Sequence, residues 1–113
     1  MRTKAEVMEI MSEYVPKVKA LYGDKLNKIV LYGSYARGDY HEDSDVDVMI
    51  LLDVAKEALG STRNAVIDMT YDFNYQKSID IMPVIQCKSL FHYWEKVLPF
   101  YRNVNSEGIV LYG

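Results

Sequence analysis

Two short apolar runs, Asn27 to Tyr32 and Asp45 to Leu52, are joined through a Gly33-Ser34 bend, and the second opens on two aspartates one residue apart. This arrangement limits the fold more than any other part of the chain. Runs of this length, rich in Val, Ile and Leu and bounded by turn residues, read as buried strands. Gly33 allows a sharp turn and lets a bulky ligand approach with no Cβ in the way. In a strand, Asp45 and Asp47 point to one side, about 6–7 Å apart, and Val46, Val48 and Ile50 fill the other, buried side. Two carboxylates heading an apolar strand are costly unless something cationic neutralises them.

The rest of the chain supplies helices around these strands. Val7, Ile10, Met11, Tyr14, Val15, Val18, Leu21 and Tyr22 recur at three- and four-residue spacing, which predicts a helix over Thr3 to Tyr22. Thr3 with Glu6 forms its capping box and Gly23 ends it; Pro16 is expected to kink or split it. A second helix is predicted over Ser61 to Gln76, with Ala65, Val66, Met69 and Phe73 as its buried stripe. A third strand is expected over Ser78 to Gln86, at a sheet edge or irregular because Pro83 cannot donate to a ladder. Ser89 is placed as the cap of a short helix reaching Trp94, Pro99 near the start of another, and Gly108 to Tyr112 as a last short strand. Strands alternating with helices give an α/β (α+β) domain with a small mixed sheet. With 113 residues and no repeat, linker or low-complexity stretch, residues 1–113 read as one domain.

The chemistry gathers at the bend. Ser34 is expected to cap a short helix over Tyr35 to Arg37, whose free N–H groups would attract phosphate oxygens. Arg37 adds a positive charge for a phosphate or a neighbouring carboxylate. Asp80 lies between Ile79 and Ile81; if its strand lies beside the second, it becomes a third carboxylate at the same site. Hard oxygen donors of this kind suit magnesium, which usually shares its shell with substrate phosphates. Three carboxylates and a phosphate cradle are the parts of a two-metal displacement at phosphorus. A P-loop is rejected: Gly33 and Gly38 have its glycine spacing, but Asp39 and Tyr40 stand where Lys and Ser/Thr are required.

The pattern Tyr32-Gly33-Ser34, ten residues, then Asp45-Val46-Asp47 with Asp80 as a later acid, resembles the nucleotidyltransferase superfamily that includes DNA polymerase beta. Ala36, Arg37, Gly38 and Ser44 complete the extended form, Gly-Ser-x-Ala-Arg-Gly closing with Ser-Asp-x-Asp, of the minimal nucleotidyltransferases. The resemblance implies that Gly33 and Ser34 hold a triphosphate and that Asp45, Asp47 and Asp80 bind two magnesium ions, Asp80 also serving as general base. Arg37 and Ser44 would bind or brace. It further implies transfer of a nucleoside monophosphate, AMP from ATP, onto a hydroxyl. Short members of this kind are antitoxins paired with a helical HEPN-type toxin, which they silence by modifying a tyrosine. The alternatives are an antitoxin that only masks its partner, and an oligomeric small-molecule enzyme of the aminoglycoside-modifying kind.

Charge and composition exclude other classes. Thirteen Lys and Arg against sixteen Asp and Glu leave a formal charge of −3, which speaks against a nucleic-acid-coating surface. No apolar stretch is long enough to cross a bilayer, and the first residues lack a signal-peptide core. Cys87 is the one cysteine and reads as a small buried hydrophobe; a reduced cytoplasm is the expected compartment. His41 and His92 lack partners at metal-ligand spacing. The ten tyrosines, with clusters at 71–75 and 91–94, are expected to divide between the core and a contact surface.

Overall fold

A computed structural model describes residues 2–113, arranged as four strands and five helices. Helix α1, Lys4–Tyr22, opens on the expected capping box: the Glu6 N–H donates to the Thr3 hydroxyl and the Thr3 N–H to the Glu6 carboxylate. It closes at Gly23, whose φ of 57° lies where glycine is favoured. Pro16 does not split it. Val7, Met11, Tyr14 and Val18 are buried along one stripe on both sides of the proline, and that burial outweighs one lost backbone bond.

Strand β1 (Leu26–Tyr32) is followed by the single-turn helix α2 (Ser34–Arg37) and strand β2 (Val46–Leu52). Then come helix α3 (Leu59–Lys77), strand β3 (Ile81–Cys87), helices α4 (Lys88–Trp94) and α5 (Pro99–Glu107), and strand β4 (Ile109–Tyr112). The sheet order is β3-β2-β1-β4, with β1 antiparallel to both β2 and β4, and β2 parallel to β3 across the α3 connection. Pro83 thus sits on an edge strand, as its missing N–H demands.

Central strand β2 is buried on both faces. Val46, Val48, Ile50 and Leu52 pack beneath α1 and α3, and Met49 and Leu51 join Val30, Phe91 and Val104 beneath α4 and α5. Only the head of β2, at Asp47, escapes this covering. The pattern therefore forces whatever Asp47 does to happen at one end of the sheet.

Three sequence expectations need correction. The buried stripe of α3 is Leu59, Val66, Thr70 and Phe73, with Ala65 exposed and Met69 half-buried. Thr70 can turn inward because its hydroxyl bonds the Tyr14 hydroxyl at 2.6 Å, and the Tyr14 and Phe73 rings meet at 5.3 Å. Strand β3 begins at Ile81 rather than Ser78, because Ser78 adopts a left-handed conformation (φ 52°) that ends α3. Helix α4 has Cys87 at its N-cap, not Ser89, since it starts directly off the end of β3. Cys87 is fully buried, as expected, and Pro99 occupies the first turn of α5. Of the aromatic clusters, Phe73 and Phe91 enter the core while Tyr71, Tyr75 and Tyr93 face outward. No helix among the described residues is long and apolar enough to cross a membrane.

Candidate active site

The bend after β1 is built on Gly33, which adopts φ 76° and serves as the N-cap of α2. Ser34 is therefore the first helical residue and not the cap; its hydroxyl makes no capping bond. The turn is tight: the N–H groups of Ala36 and Arg37 both donate to the Gly33 carbonyl at 3.1 Å, and Gly38 closes it in a left-handed conformation (φ 89°). A Cβ on Gly33 would overlap the Oδ2 of Asp47. The glycine is thus required twice, by its dihedral angle and by the carboxylate lying against it.

Register explains that proximity. Tyr32 and Asp47 are opposed across β1 and β2, so the last residue before the bend faces the first strand residue that carries charge. On the other side of β2, Val46 pairs with Ile81, and the Val46 N–H donates to the Asp80 carbonyl at 2.9 Å. That parallel pairing sets Asp80 opposite Asp45, just ahead of β3 rather than within it. The condition on which Asp80 was expected to join the site, a third strand beside the second, is met.

Electrostatics show how the three acids interact. Asp45 has its carboxyl raised above the ordinary range by desolvation, by a side-chain hydrogen bond with Asp80, and by the charge of Asp80. Asp47 is raised by desolvation and by the charge of Asp45, with Arg37 opposing. The Tyr32 hydroxyl is pushed up to about 12, first by burial and then by the charge of Asp47. Burial comes first in each case, and the neighbouring carboxylates add to it, with Arg37 only partly offsetting them at Asp47.

The expected three-carboxylate cluster is not fully assembled: among the described residues, no group of three His, Cys, Asp or Glu is gathered closely enough to hold a metal ion. Asp80 faces Asp45 across the parallel pairing, and Asp47 lies against Gly33. The donors are nonetheless hard oxygens bearing excess negative charge, which fits a magnesium ion that completes its shell with phosphate and water.

Arg37 and Ser44 are both occupied. The Arg37 guanidinium reaches Asp39 at 3.3 Å and Glu107 at 3.9 Å. Ser44 braces the loop ahead of β2: the His41 N–H donates to its hydroxyl at 2.8 Å, and its own N–H donates to the His41 carbonyl at 3.0 Å. The stacked rings of Tyr35 and Tyr40, 4.5 Å apart, pin the same loop to α2.

Two open cavities flank the acids. One, of about 320 Å³, is lined by Gly33, Ser34, Arg37 and Asp47 on one wall and by Phe100, Asn103 and Glu107 of α5 on the other. The second, of about 470 Å³, is lined by Ser44 and Asp80 together with Arg2, Tyr35 and Glu42. Sequence reasoning does not find the α5 wall. Its signal is weak, a helix with one buried residue, Val104, and no charge pattern of its own.

Comparison with known proteins agrees with this geometry. The family described as "Nucleotidyltransferase domain" matches residues 11–107. Two Methanocaldococcus jannaschii proteins, each named "Putative protein adenylyltransferase", are similar to this chain. One is 37% identical over 103 residues, covering 90% of this chain and 94% of the relative; the other is 36% identical over 85 residues, covering 75% and 84%. In fold, the chain resembles a Sulfolobus solfataricus crystal structure described as a "putative nucleotidyltransferase" (TM-score 0.65, 20% identity, 96% of this chain and 82% of that one). It also resembles a chain of a toxin–antitoxin crystal structure with AMP-PNP (TM-score 0.52, 23% identity, 88% and 70%). A Gly-Ser bend set against an Asp-x-Asp strand, matched over most of the chain, makes this protein a member of the nucleotidyltransferase domain family.

Proposed function

We propose that this chain moves AMP from ATP onto a hydroxyl, the acceptor being a tyrosine on a helical, HEPN-type toxin that it silences as the antitoxin. The observation that carries this reading is the contact of Asp47 with Gly33, which places a metal-ligand type of carboxylate beside a bend suited to polyphosphate. The names of the two archaeal relatives support protein as the acceptor class. The toxin–antitoxin fold neighbour with its nucleotide analogue supports a partner toxin and a nucleoside triphosphate.

Each residue then has a task. Gly33 and Ser34 receive the phosphates, with Arg37 at the end of the same short helix. Asp45 and Asp47 would hold magnesium, which when bound neutralises charge on the phosphates and lowers the pKa of the attacking hydroxyl. Asp80, on the cavity away from the Gly-Ser bend, takes the acceptor's proton. The hydroxyl oxygen forms a bond to the α-phosphorus while the bond from that phosphorus to the bridging oxygen of pyrophosphate breaks. The protein mainly supplies position and electrostatic complement.

The test is incubation with magnesium, the product of the adjacent gene, and ATP labelled at either the α- or the γ-phosphate. Transfer of α-label to protein is the expected result, and γ-label transfer would overturn it. No label moved, with partner binding that survives Asp45→Asn and Asp47→Asn, would instead indicate an antitoxin that only masks. Labelling of an aminoglycoside in preference to protein would indicate a small-molecule enzyme.

A further inference from the structure

The cavity beside the Gly-Ser bend has two chemically different walls. On one side, Gly33, Ser34 and Arg37 present a backbone with no Cβ, a hydroxyl and a cation, groups that suit phosphate. On the other, one stripe of α5 presents an aromatic ring at Phe100, a carboxamide at Asn103 and a carboxylate at Glu107. A carboxylate repels phosphate but accepts hydrogen bonds from hydroxyl groups. This second wall therefore suits a neutral, flat, hydroxyl-bearing group.

The wall is held in place. Val104, in the same stripe, is buried against β1, and a Cβ on Gly108 would overlap Val30 and the Val104 carbonyl, so the end of α5 lies directly on that strand. Phe100 remains 46% exposed although its ring meets Tyr32 edge-on at 5.6 Å and Tyr101 at 5.2 Å. These contacts fix the ring while leaving part of it open. Glu107 reaches across the cavity to Arg37, so the two walls are joined at one end.

We infer that the α5 stripe is the nucleoside subsite, with Phe100 stacking on the base and Asn103 and Glu107 binding the base edge and the ribose hydroxyls of the triphosphate held at Gly33 and Ser34. The inference rests on the proposed function only for the identity of the ligand as a nucleotide. Stacking on a single aromatic ring tolerates any base, so selectivity among bases falls to Asn103, and selectivity for ribose over deoxyribose to Glu107.

The test is binding of ATP, 2′-deoxy-ATP and inorganic tripolyphosphate to the full chain with magnesium. Phe100→Ala is expected to weaken ATP about tenfold or more while leaving tripolyphosphate unchanged. Glu107→Gln should narrow the preference for ATP over 2′-deoxy-ATP. Phe100→Trp, which keeps a ring, should bind ATP normally and show an indole fluorescence change with ATP but not with tripolyphosphate, beyond any change of Trp94 in the native chain. Equal weakening of ATP and tripolyphosphate by Phe100→Ala, or ATP binding untouched by it, overturns the subsite and leaves the transfer reading standing. ATP binding that depends on Phe100, with no α-label transfer, keeps the subsite and overturns the transfer reading.

Discussion

The Asn74 carboxamide makes both hydrogen bonds of a strand neighbour to Ile81, its Nδ2 donating to the Ile81 carbonyl and its Oδ1 accepting from the Ile81 N–H, each at 3.0 Å. Ile81 opens an edge strand, so these backbone groups would otherwise lack a partner on that side. Asp80 is the preceding residue, and its carbonyl is tied to Val46. Asp80 is thereby held between β2 and the end of α3. Asn74→Ala should cost about 1–3 kcal/mol of stability, the usual penalty for orphaned backbone groups. Because Asp80 is assigned to the acceptor rather than to the nucleotide, turnover should fall while ATP affinity stays nearly constant. Thermal melts, kcat and an ATP Kd measured on the same variant separate these effects.

Gly33 and Gly60 make opposed predictions from the same substitution. An added methyl at Gly33 meets the Asp47 carboxylate and a φ of 76°, so Gly33→Ala must move either the bend or the acid. A displacement of about 1 Å at a reacting centre costs roughly 100-fold in rate, and kcat/KM for Gly33→Ala is expected to drop at least that far. Gly60 lies in α3 with open space around it. Gly60→Ala should raise stability by about 0.5–1 kcal/mol and leave activity alone.

How much of this was legible beforehand depends on where each residue sits in the chain. Gly33, Ser34, Asp45 and Asp47 belong to one bend and the strands it joins, so local spacing reports their spatial relation. Asp80 was legible through an adjacent-strand assumption that the parallel pairing of β2 and β3 satisfies. The α5 wall was not, because Phe100, Asn103 and Glu107 reach the cavity only through the packing of Val104 on β1, which local periodicity does not encode. The role of Ser34 was misread for a local reason: Gly33, at a positive φ of 76°, serves as the N-cap, so the helix begins one residue earlier and the serine enters its first turn. The inward face of α3 was misread because Thr70 is polar, and its burial depends on a hydroxyl of another helix.

The crowded acids tie metal, pH and stability together. Asp45 and Asp47 both have folded-state carboxyls raised above the ordinary value of 3.8, so the folded chain binds their protons more readily than the unfolded chain. Stability from this source is present in full below the ordinary carboxylate range and is lost as pH rises through the raised values. The metal-free protein should therefore lose stability at these two positions as pH rises above the ordinary carboxylate value of 3.8. Asp47→Asn should raise the metal-free Tm at pH 7 while abolishing transfer. Added magnesium should raise the Tm of the native chain and have a smaller effect on Asp47→Asn. Melts across pH with and without magnesium test this, and a native chain whose Tm ignores magnesium would count against these acids as ligands.

Tyr14 and Thr70 form a buried pair that belongs to the core rather than to the chemistry. Their hydroxyls meet at 2.6 Å between α1 and α3, and burial pushes Tyr14 up to about 12. Tyr14→Phe and Thr70→Val should each cost about 1–2 kcal/mol, since each leaves the other hydroxyl short of a partner. The double variant should cost less than the sum, because neither hydroxyl is then orphaned. The raised tyrosine adds an alkaline signature. A folded-state value above the ordinary 10.0 means that stability is intact below about pH 10 and is lost as pH rises toward 12. Tyr14→Phe should flatten that part of the alkaline stability profile, measured by urea melts from pH 8 to about pH 11.5. Nucleotide transfer at neutral pH should stay within about twofold of the native chain, because the pair lies on the face of the sheet away from the α5 wall.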